Sequence, residues 1–446
     1  MIVSLLCCVV YSLEYEIWYN EVHEVMETNG LSYIDLFAGA GGLSEGFMQS
    51  GYQSVAHIEM NEYAAKTIET RIAYYYLKKQ KRLRKYYQYE RGEINREELL
   101  ELVPEEELNT VINEEISPKT IKGIFQRIDT ILYEKEIQKV DVIIGGPPCQ
   151  AYSLVGRAQS SHMIIPMEED LRNELYKMYV QFLTKYQPRM FVFENVAGIK
   201  TARGGQAFKN LQSYMRRVGY EIEPHELNAK DFGVLQSRKR IIIVGWLKGT
   251  GYEYPSFDII SGNAKVEDVL NDLDILHPGE SSSEYSVIEA SKYARKNGIR
   301  RKSDVLTHHV ARPHTEQDIE IYKRTIDLWF HNQQHERLKY DNLPEELKTH
   351  RNRTSFVDRF KVVEGDMDYC HTILAHLSKD GHYFIHPDIN QHRSITVREA
   401  ARLQSFPDNY FFEGPRTSQF AQIGNAVPPM MAKEIADKLK EQLINR

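Results

Sequence analysis

Between residues 31 and 246 the chain alternates short apolar or β-branched runs with longer stretches of helical pattern, and nothing else in it restricts the fold as much. The runs LSYIDLF, SVAHI, TVIN, VDVII, MFVFE and RIIIVGW read as buried strands. Most segments between them are long enough for a crossover helix. That succession predicts an α/β domain built on a mainly parallel sheet. One link, residues 62–109, is unusually long and rich in Lys, Arg, Glu and Tyr, with KKQKRLRK inside it. It reads as a charged helical insertion, either a solvated face or an arm that touches phosphates.

After Gly245 the alternation stops. Residues 250–390 hold few strand patterns and many His, Arg, Asn and Asp, the profile of a second, smaller and irregular domain. The last stretch, PPMMAKEIADKLKEQLINR, is an amphipathic helix opened by proline. RSITVREAARLQSFPD, residues 393–408, contains a helix whose Thr396 and Glu399 have the spacing of a capping box.

A chain of 446 residues is long enough for two cores. No apolar run approaches the roughly 20 residues of a membrane span, so no membrane partner is expected. The net charge of −7 excludes a uniformly basic DNA-coating protein but leaves room for a local basic face. Cys7, Cys8, Cys149 and Cys370 form neither a disulfide framework nor a zinc spacing, which favours a reducing cytoplasm. The apolar opening MIVSLLCCVVYSL lacks a positive n-region and a small-residue cleavage site. Residues 1–30 therefore read as an extension ahead of the core, with Met26 as an alternative start.

Four segments carry chemistry. In DLFAGAGGLSEGF a strand ends at Phe37, a glycine turn follows, and a helix starts near Gly42. Glycines let a ligand approach the backbone beside a helix N-terminus. Glu59, at the end of the next strand, is placed to accept hydrogen bonds from ribose hydroxyls. Alone, this fits any nucleotide-like cofactor, a dehydrogenase included, or a tight turn with no ligand. VDVIIGGPPCQAYS is more specific: Cys149 follows a buried strand on a Pro-Pro turn, a setting that suits a nucleophile better than a core thiol. In MFVFENVAGI, Glu194 ends a strand and is either an acid or base, or a capping or salt-bridged carboxylate. In LQSRKRIIIVGW, extended alternation puts Gln236, Arg238 and Arg240 on one side, as donors for a carbonyl oxygen and phosphates or as a solvated strand edge.

Taken in order, DLFAGAGG, GGPPCQ, ENV, QSRKR, SITVREAARLQSFPD and GNAVPP resemble the cytosine-5 DNA methyltransferase family of bacterial restriction-modification type, over residues 31–250 and 371–446. The resemblance implies a doubly wound large domain with S-adenosyl-L-methionine as cofactor. Matched by position, Phe37, Gly39, Gly41, Leu43 and Pro147 would line the cofactor site, with Glu59 on the ribose and Asn425 closing the pocket. Many relatives carry Ser where this chain has Ala426. No clean copy of the usual adenine-contacting Asp exists; Glu115, in NEEI, is the nearest candidate. Cys149, Glu194, Arg238 and Arg240 would be catalytic, and Gln150, Ser153 and Arg157 would touch DNA from a mobile loop. The implied domains are 31–249, a target-recognition domain 250–416, and a segment 417–446 returning to the large domain. The basic stretches YARKNGIRRK and KTHRNRTSF of the recognition domain fit DNA backbone contacts.

Duplex DNA is thus the expected partner and a monomer the expected state, with a cognate restriction endonuclease acting separately on the same site. Two rivals remain. A tRNA cytosine-5 methyltransferase would carry a short recognition region with a Cys-Phe-Thr tripeptide; none occurs, and Gly245 lies 393 − 245 = 148 residues from Arg393. A catalytically dead DNA-binding module would not need Cys149, Glu194 and Arg240 together. His308, His309 and His314 lack a recognisable metal-ligand spacing and read as solvent-facing or base-contacting, with no metal site expected.

Overall fold

A computed structural model describes residues 30–147, 175–201, 205–260, 262–331, 335–349 and 357–445. Seven strands form one sheet: β1 (Ser32–Leu36), β2 (Gln53–Ile58), β3 (Val111–Ile112), β4 (Val142–Gly145), β5 (Met190–Asn195), β6 (Tyr220–Asn228) and β7 (Lys239–Leu247). They lie in the order β3-β2-β1-β4-β5-β7-β6. All neighbours are parallel except β7, which runs against both β5 and β6. The mainly parallel sheet expected from the alternating runs is present, and it is wound on both faces.

The strands show why. Side chains alternate across a pleated sheet. Ile34, Leu36, Ile143, Phe191, Phe193, Ile241 and Ile243 point to one buried core. Tyr33, Val142, Ile144, Met190, Val192, Ile242 and Val244 point to the other. Runs with both faces buried read as continuous apolar stretches, which is how parallel strands betray themselves. The first core is covered by helices Ile121–Glu134, Leu175–Tyr186 and Gln206–Arg217. The second is covered by helices Gly42–Gln49 and Pro429–Asn445, the proline-opened helix at the end of the chain.

β6 had no counterpart among the expected strands. It is an edge strand with Pro224 in its middle and three glutamates, and its exposed residues outnumber its buried ones. Proline is tolerated there because one side of an edge strand needs no ladder donor.

The insertion after β2 folds as helices Glu62–Lys79, Leu83–Glu90, Arg96–Leu100 and Glu105–Leu108, as its pattern predicted. It is more than a solvated face. Buried Arg71 chelates Glu45 with Nε and Nη2, at 2.8 and 2.6 Å, and donates through Nη1 to both Asn409 oxygens. Tyr86 donates to the Asn409 carbonyl.

Residues 250–390 contain isolated bridges rather than named strands among the described residues, with helices Lys292–Lys296 and Glu316–Phe330. One apolar cluster gathers around Ile321, Trp329, Tyr340 and Phe360. A second joins Val266, Leu270 and Ile299 to helices Val397–Leu403 and Arg416–Asn425. The Thr396–Glu399 capping box opens the former helix. Its charges are spent inside: Arg393 pairs with Glu399, and Arg402 with Asp408 and Asp272, all buried. His309 is buried too, held by the Asp274 carbonyl and Thr396, while His308 accepts from Phe412 N and His314 from Ser394 N. The solvent-facing role expected for these histidines is corrected for His309, which has no exposed surface. Among the described residues no cluster of three or more potential metal ligands exists.

Candidate active site

The strand register lines up one edge of the sheet. Leu36 pairs with Ile58 and with Gly145, Gly145 with Phe193, and Asn195 with Ile241. Because β7 is reversed, its start lies beside the ends of the others. Phe37, Glu59, Gly146, Glu194 and Arg240 therefore emerge in one row, where ligands of open α/β sheets bind.

At one end of the row lies the glycine loop. Phe37 and Gly41 both have positive φ, 58° and 75°, which turns the chain sharply into helix Gly42–Gln49. Gly39 N donates to Glu59 Oε2 at 2.8 Å and Asn61 N to Oε1 at 2.7 Å, so the carboxylate is fixed by two amides. Burial nevertheless raises its pKa. Each oxygen retains a lone pair for a ligand hydroxyl. No heavy atom lies within 4 Å of the position a Cβ on Gly39 would take, so the space above the loop is open. Asn425, exposed at the end of its helix, borders this loop through the turn that follows it: a Cβ on Gly42 would stand 2.4 Å from Val427 O. Tyr410, to which the sequence reading gave no role, donates to the Ala40 carbonyl at 2.5 Å from the far side.

Two other expected cofactor contacts look different. Leu43 is buried and belongs to the core cluster that holds Tyr33 and Phe47. Glu115 is exposed in the loop after β3, and its neighbour Asn113 donates to the Glu59 carbonyl at 2.8 Å. The structure puts this acidic loop beside the Glu59 end of the row without bringing the Glu115 side chain to a named partner.

At the centre of the row is the Gly-Gly-Pro step. A Cβ on Gly145 would stand 1.9 Å from Leu36 O, and one on Gly146 would stand 1.9 Å from Glu194 O. Only glycine lets β4 leave the sheet between two neighbouring backbones. Pro147 is buried, and its carbonyl accepts from Asn195 Nδ2 at 3.1 Å. Asn195 is a site residue the sequence reading passed over, although its place directly after Glu194 was in view. Cys149, Gln150, Ser153 and Arg157 lie outside the described residues.

At the far end, Glu194 Oε1 meets Arg240 Nε at 2.7 Å, with both side chains largely buried. Arg240 also donates to the Lys239 carbonyl at 2.8 Å. The sequence left Glu194 open between chemistry and a salt bridge; it makes the salt bridge, at the sheet edge where the chemistry is expected.

The grouping of Gln236, Arg238 and Arg240 as three outward donors is corrected. β7 begins only at Lys239, so the extended alternation does not reach back to Gln236. Arg238 is wholly buried, with Nη1 on the Ile373 carbonyl at 2.8 Å and Nη2 on the Gly424 carbonyl at 2.9 Å. Gln236 is buried as well, bonded to Leu403 O, Gln404 and Ile373 N. Both fasten the small domain and the C-terminal turn to the sheet. Arg240 alone of the three stands in the row.

Known proteins bear directly on this arrangement. The family model of C-5 cytosine-specific DNA methylases matches residues 31–91 and 113–441. Type II methyltransferase M.Bpa9945I of Bacillus paralicheniformis is 42% identical over 92% of this chain and 98% of its own length. Type II methyltransferase M.DdeI of Desulfomicrobium norvegicum is 30% identical over 92% and 88%. Among solved structures, a chain described as a DNA modification methyltransferase from an E. coli prophage shares the fold, with TM-score 0.60 and 24% identity over 93% of this chain and 100% of that one. With the family model matching residues 31–91 and 113–441 and two Type II methyltransferases 42% and 30% identical over 92% of the chain, this protein belongs to the C-5 cytosine-specific DNA methylase family and is a DNA cytosine-5 methyltransferase.

Proposed function

We propose that this enzyme methylates C5 of a flipped-out cytosine in a specific duplex DNA sequence, through a covalent Cys149–C6 intermediate, as the modification enzyme of a bacterial restriction-modification system. The observation that carries the reading is the Glu194–Arg240 pair standing beside the Gly146–Pro147 step that leads to Cys149. S-adenosyl-L-methionine fits the glycine loop: the space above Gly39 is open and the Glu59 carboxylate is held there by two amides. When bound, it supplies an electrophilic methyl group on a sulfonium.

C5 of cytosine is a weak nucleophile, and the residues of the row address that. The Cys149 thiolate forms a bond to C6, and the electrons of the 5,6 double bond move to C5 and into the ring. Glu194, facing N3 and the exocyclic amine, and Arg240, facing O2, stabilise the charge that collects there. C5 would then take the methyl group, the methyl–sulfur bond breaking with its electron pair left on a neutral sulfur. Loss of the C5 proton to solvent or a base returns the electron pair to the 5,6 bond and expels Cys149 as thiolate. Stacking inside a duplex hides these atoms, so the base must be extruded first. Asn195 would act by holding the Pro147 carbonyl, and with it the start of the cysteine turn. Residues 250–390 would choose the sequence, with the protein acting as a monomer in the cytoplasm, independently of any cognate endonuclease.

Bisulfite sequencing of DNA from cells expressing the enzyme identifies the methylated site. A duplex with 5-fluorocytosine at that site is expected to trap a covalent adduct, because fluorine cannot leave as a proton does. Peptide mapping should place it on Cys149, and Cys149→Ser should abolish both adduct and turnover. An adduct on another residue, or turnover by the serine variant, would overturn the reading.

A further inference from the structure

The helical insertion does more than brace the core. Its exposed residues Lys81, Arg82, Arg84 and Lys85 sit at the start of helix Leu83–Glu90 and just before it. Three residues on from Arg84, one helical turn, Tyr87 Oη lies 3.2 Å from Ser303 Oγ and 3.5 Å from Asp304 Oδ1 of the small domain. Exposed Lys302 is the residue before that contact, and Arg301 acts electrostatically on Tyr74, which packs edge-on against Tyr86 at 5.1 Å. Two basic runs more than 200 residues apart in sequence are thereby brought to one surface.

Lys81, Arg82, Arg84 and Lys85 crowd into five residues, whereas three other cations of the insertion are paired: Lys66 with Glu62, Arg91 with Glu93 and Arg96 with Glu69. Among the described residues, none of Lys81, Arg82, Lys85 and Lys302 has a carboxylate within ion-pair distance, and Arg84 acts on Glu93 only electrostatically, with no ion pair between them. In a protein of net charge −7, with 63 acidic residues available as partners, an unbalanced concentration of cations is a built surface rather than an average one.

We infer that this surface binds the phosphate backbone of duplex DNA outside the recognition site. It rests on the proposed DNA function. It adds a second contact region, joined across the insertion and the small domain and separate from the row of strand ends. The geometry sets the distance. Helix Glu62–Lys79 starts next to Glu59 and has 18 residues, about 27 Å at 1.5 Å each. Lys81 follows its far end, so these charges stand well away from Glu59 and are not part of the row itself. A lysine or arginine that touches a phosphate releases a counterion, and each such contact adds about 0.9 to the slope of log K against log salt.

The test uses the full-length enzyme, the quadruple variant K81Q/R82Q/R84Q/K85Q and, separately, K302Q. Two duplexes are compared, each centred on the site found by bisulfite sequencing: one of about 14 base pairs and one of about 40. For the long duplex the quadruple variant is expected to bind at least ten-fold more weakly at low salt, with a salt slope shallower by up to about 3.6, and K302Q with a slope shallower by about 0.9. Binding to the short duplex and methylation of its target should stay at wild-type level, which also shows that the variants are folded and that the catalytic reading stands. Unchanged affinity and slope on the long duplex would overturn the inference. So would an equal loss on both lengths, since the charges would then serve the recognition site itself.

Discussion

Arg238→Met separates two roles that the sequence alone cannot. The residue was expected to grip cytosine O2 or the backbone near it; the structure instead buries it, with one guanidinium nitrogen on Ile373 O and another on Gly424 O. Methionine keeps the stem and removes the donors. Two buried carbonyls then lose their charged partner, at about 1–3 kcal/mol each. Placing an apolar side chain where a cation was buried offsets part of that, leaving a net destabilisation of about 2–4 kcal/mol. That is a large share of the stability of an ordinary domain, and a urea midpoint followed by tryptophan fluorescence would report it. Gly424 directly precedes Asn425, so the folded fraction should also show a raised KM for the methyl donor with little change in single-turnover rate. Arg240→Met is the comparison: it also unpairs the largely buried Glu194 and so costs stability, but its single-turnover rate should fall by a hundred-fold or more, the usual scale for removing a donor aimed at developing charge. If Arg238→Met unfolds at the wild-type urea concentration while its rate collapses, the strut is wrong and the residue belongs to the base grip.

Three further outcomes follow from single contacts. Gly146→Ala drives a methyl group to 1.9 Å from Glu194 O and 3.1 Å from Glu194 Oε2; the displaced glutamate should cut methyl transfer more than ten-fold, with a loss of about 1–3 kcal/mol of stability in the same melting series. Glu59→Gln loses one of the two oxygens fixed by Gly39 N and Asn61 N, and is expected to raise the donor KM about ten-fold, near 1.4 kcal/mol, with kcat within two-fold. Asp35, buried under the glycine loop with Ser44 Oγ donating to it at 2.5 Å, has its carboxyl pushed up to about 7 by burial. The folded state therefore holds this proton more tightly than the unfolded chain does. Its contribution is complete below about pH 4 and is lost as pH rises through about 7. Asp35→Asn does not titrate, so its stability relative to wild type should climb between those limits by up to about 4 kcal/mol. A constant difference across that range would refute the assignment.

Much of this was legible before the fold. Strands buried on both faces announce themselves as unbroken apolar runs, so β1, β2, β4, β5 and β7 were found within a residue or two at each end. β6 was not, because an edge strand with a proline and alternating glutamates carries the signature of a loop. At this edge, the glycines of both turns, Pro147 after β4 and the strand-end position of Glu194 were readable. Residues that act by reaching a distant segment were not. Arg238 and Arg240 are two apart in sequence and chemically identical; only the tertiary contacts show that the first is a strut on Ile373 and Gly424 while the second pairs with Glu194 at the sheet edge. Tyr410 and Asn195 are ordinary residue types, given a role by a carbonyl that tertiary structure alone brings near.

Those long-range contacts also explain the chain order. The glycine loop is sealed by segments from the other end of the protein: Val427 O against Gly42, Tyr410 against Ala40, and the Ala432–Lys433 backbone within 2.5 Å of where a Cβ on Gly46 would lie. The irregular region 250–390 is thus an excursion between two halves of one pocket. Such an excursion can vary in sequence without disturbing the pocket only if its ends are pinned. Gln236 and Arg238 do the pinning, joining the start of β7 to Ile373, Leu403 and Gly424 at once. Apart from the Gln236–Gln404 side-chain bond, their bonds to those segments run to backbone groups, which are present whatever side chains the excursion carries. A joint of this kind lets residues 250–390 change their surface while the glycine loop and the Glu194–Arg240 pair keep their geometry.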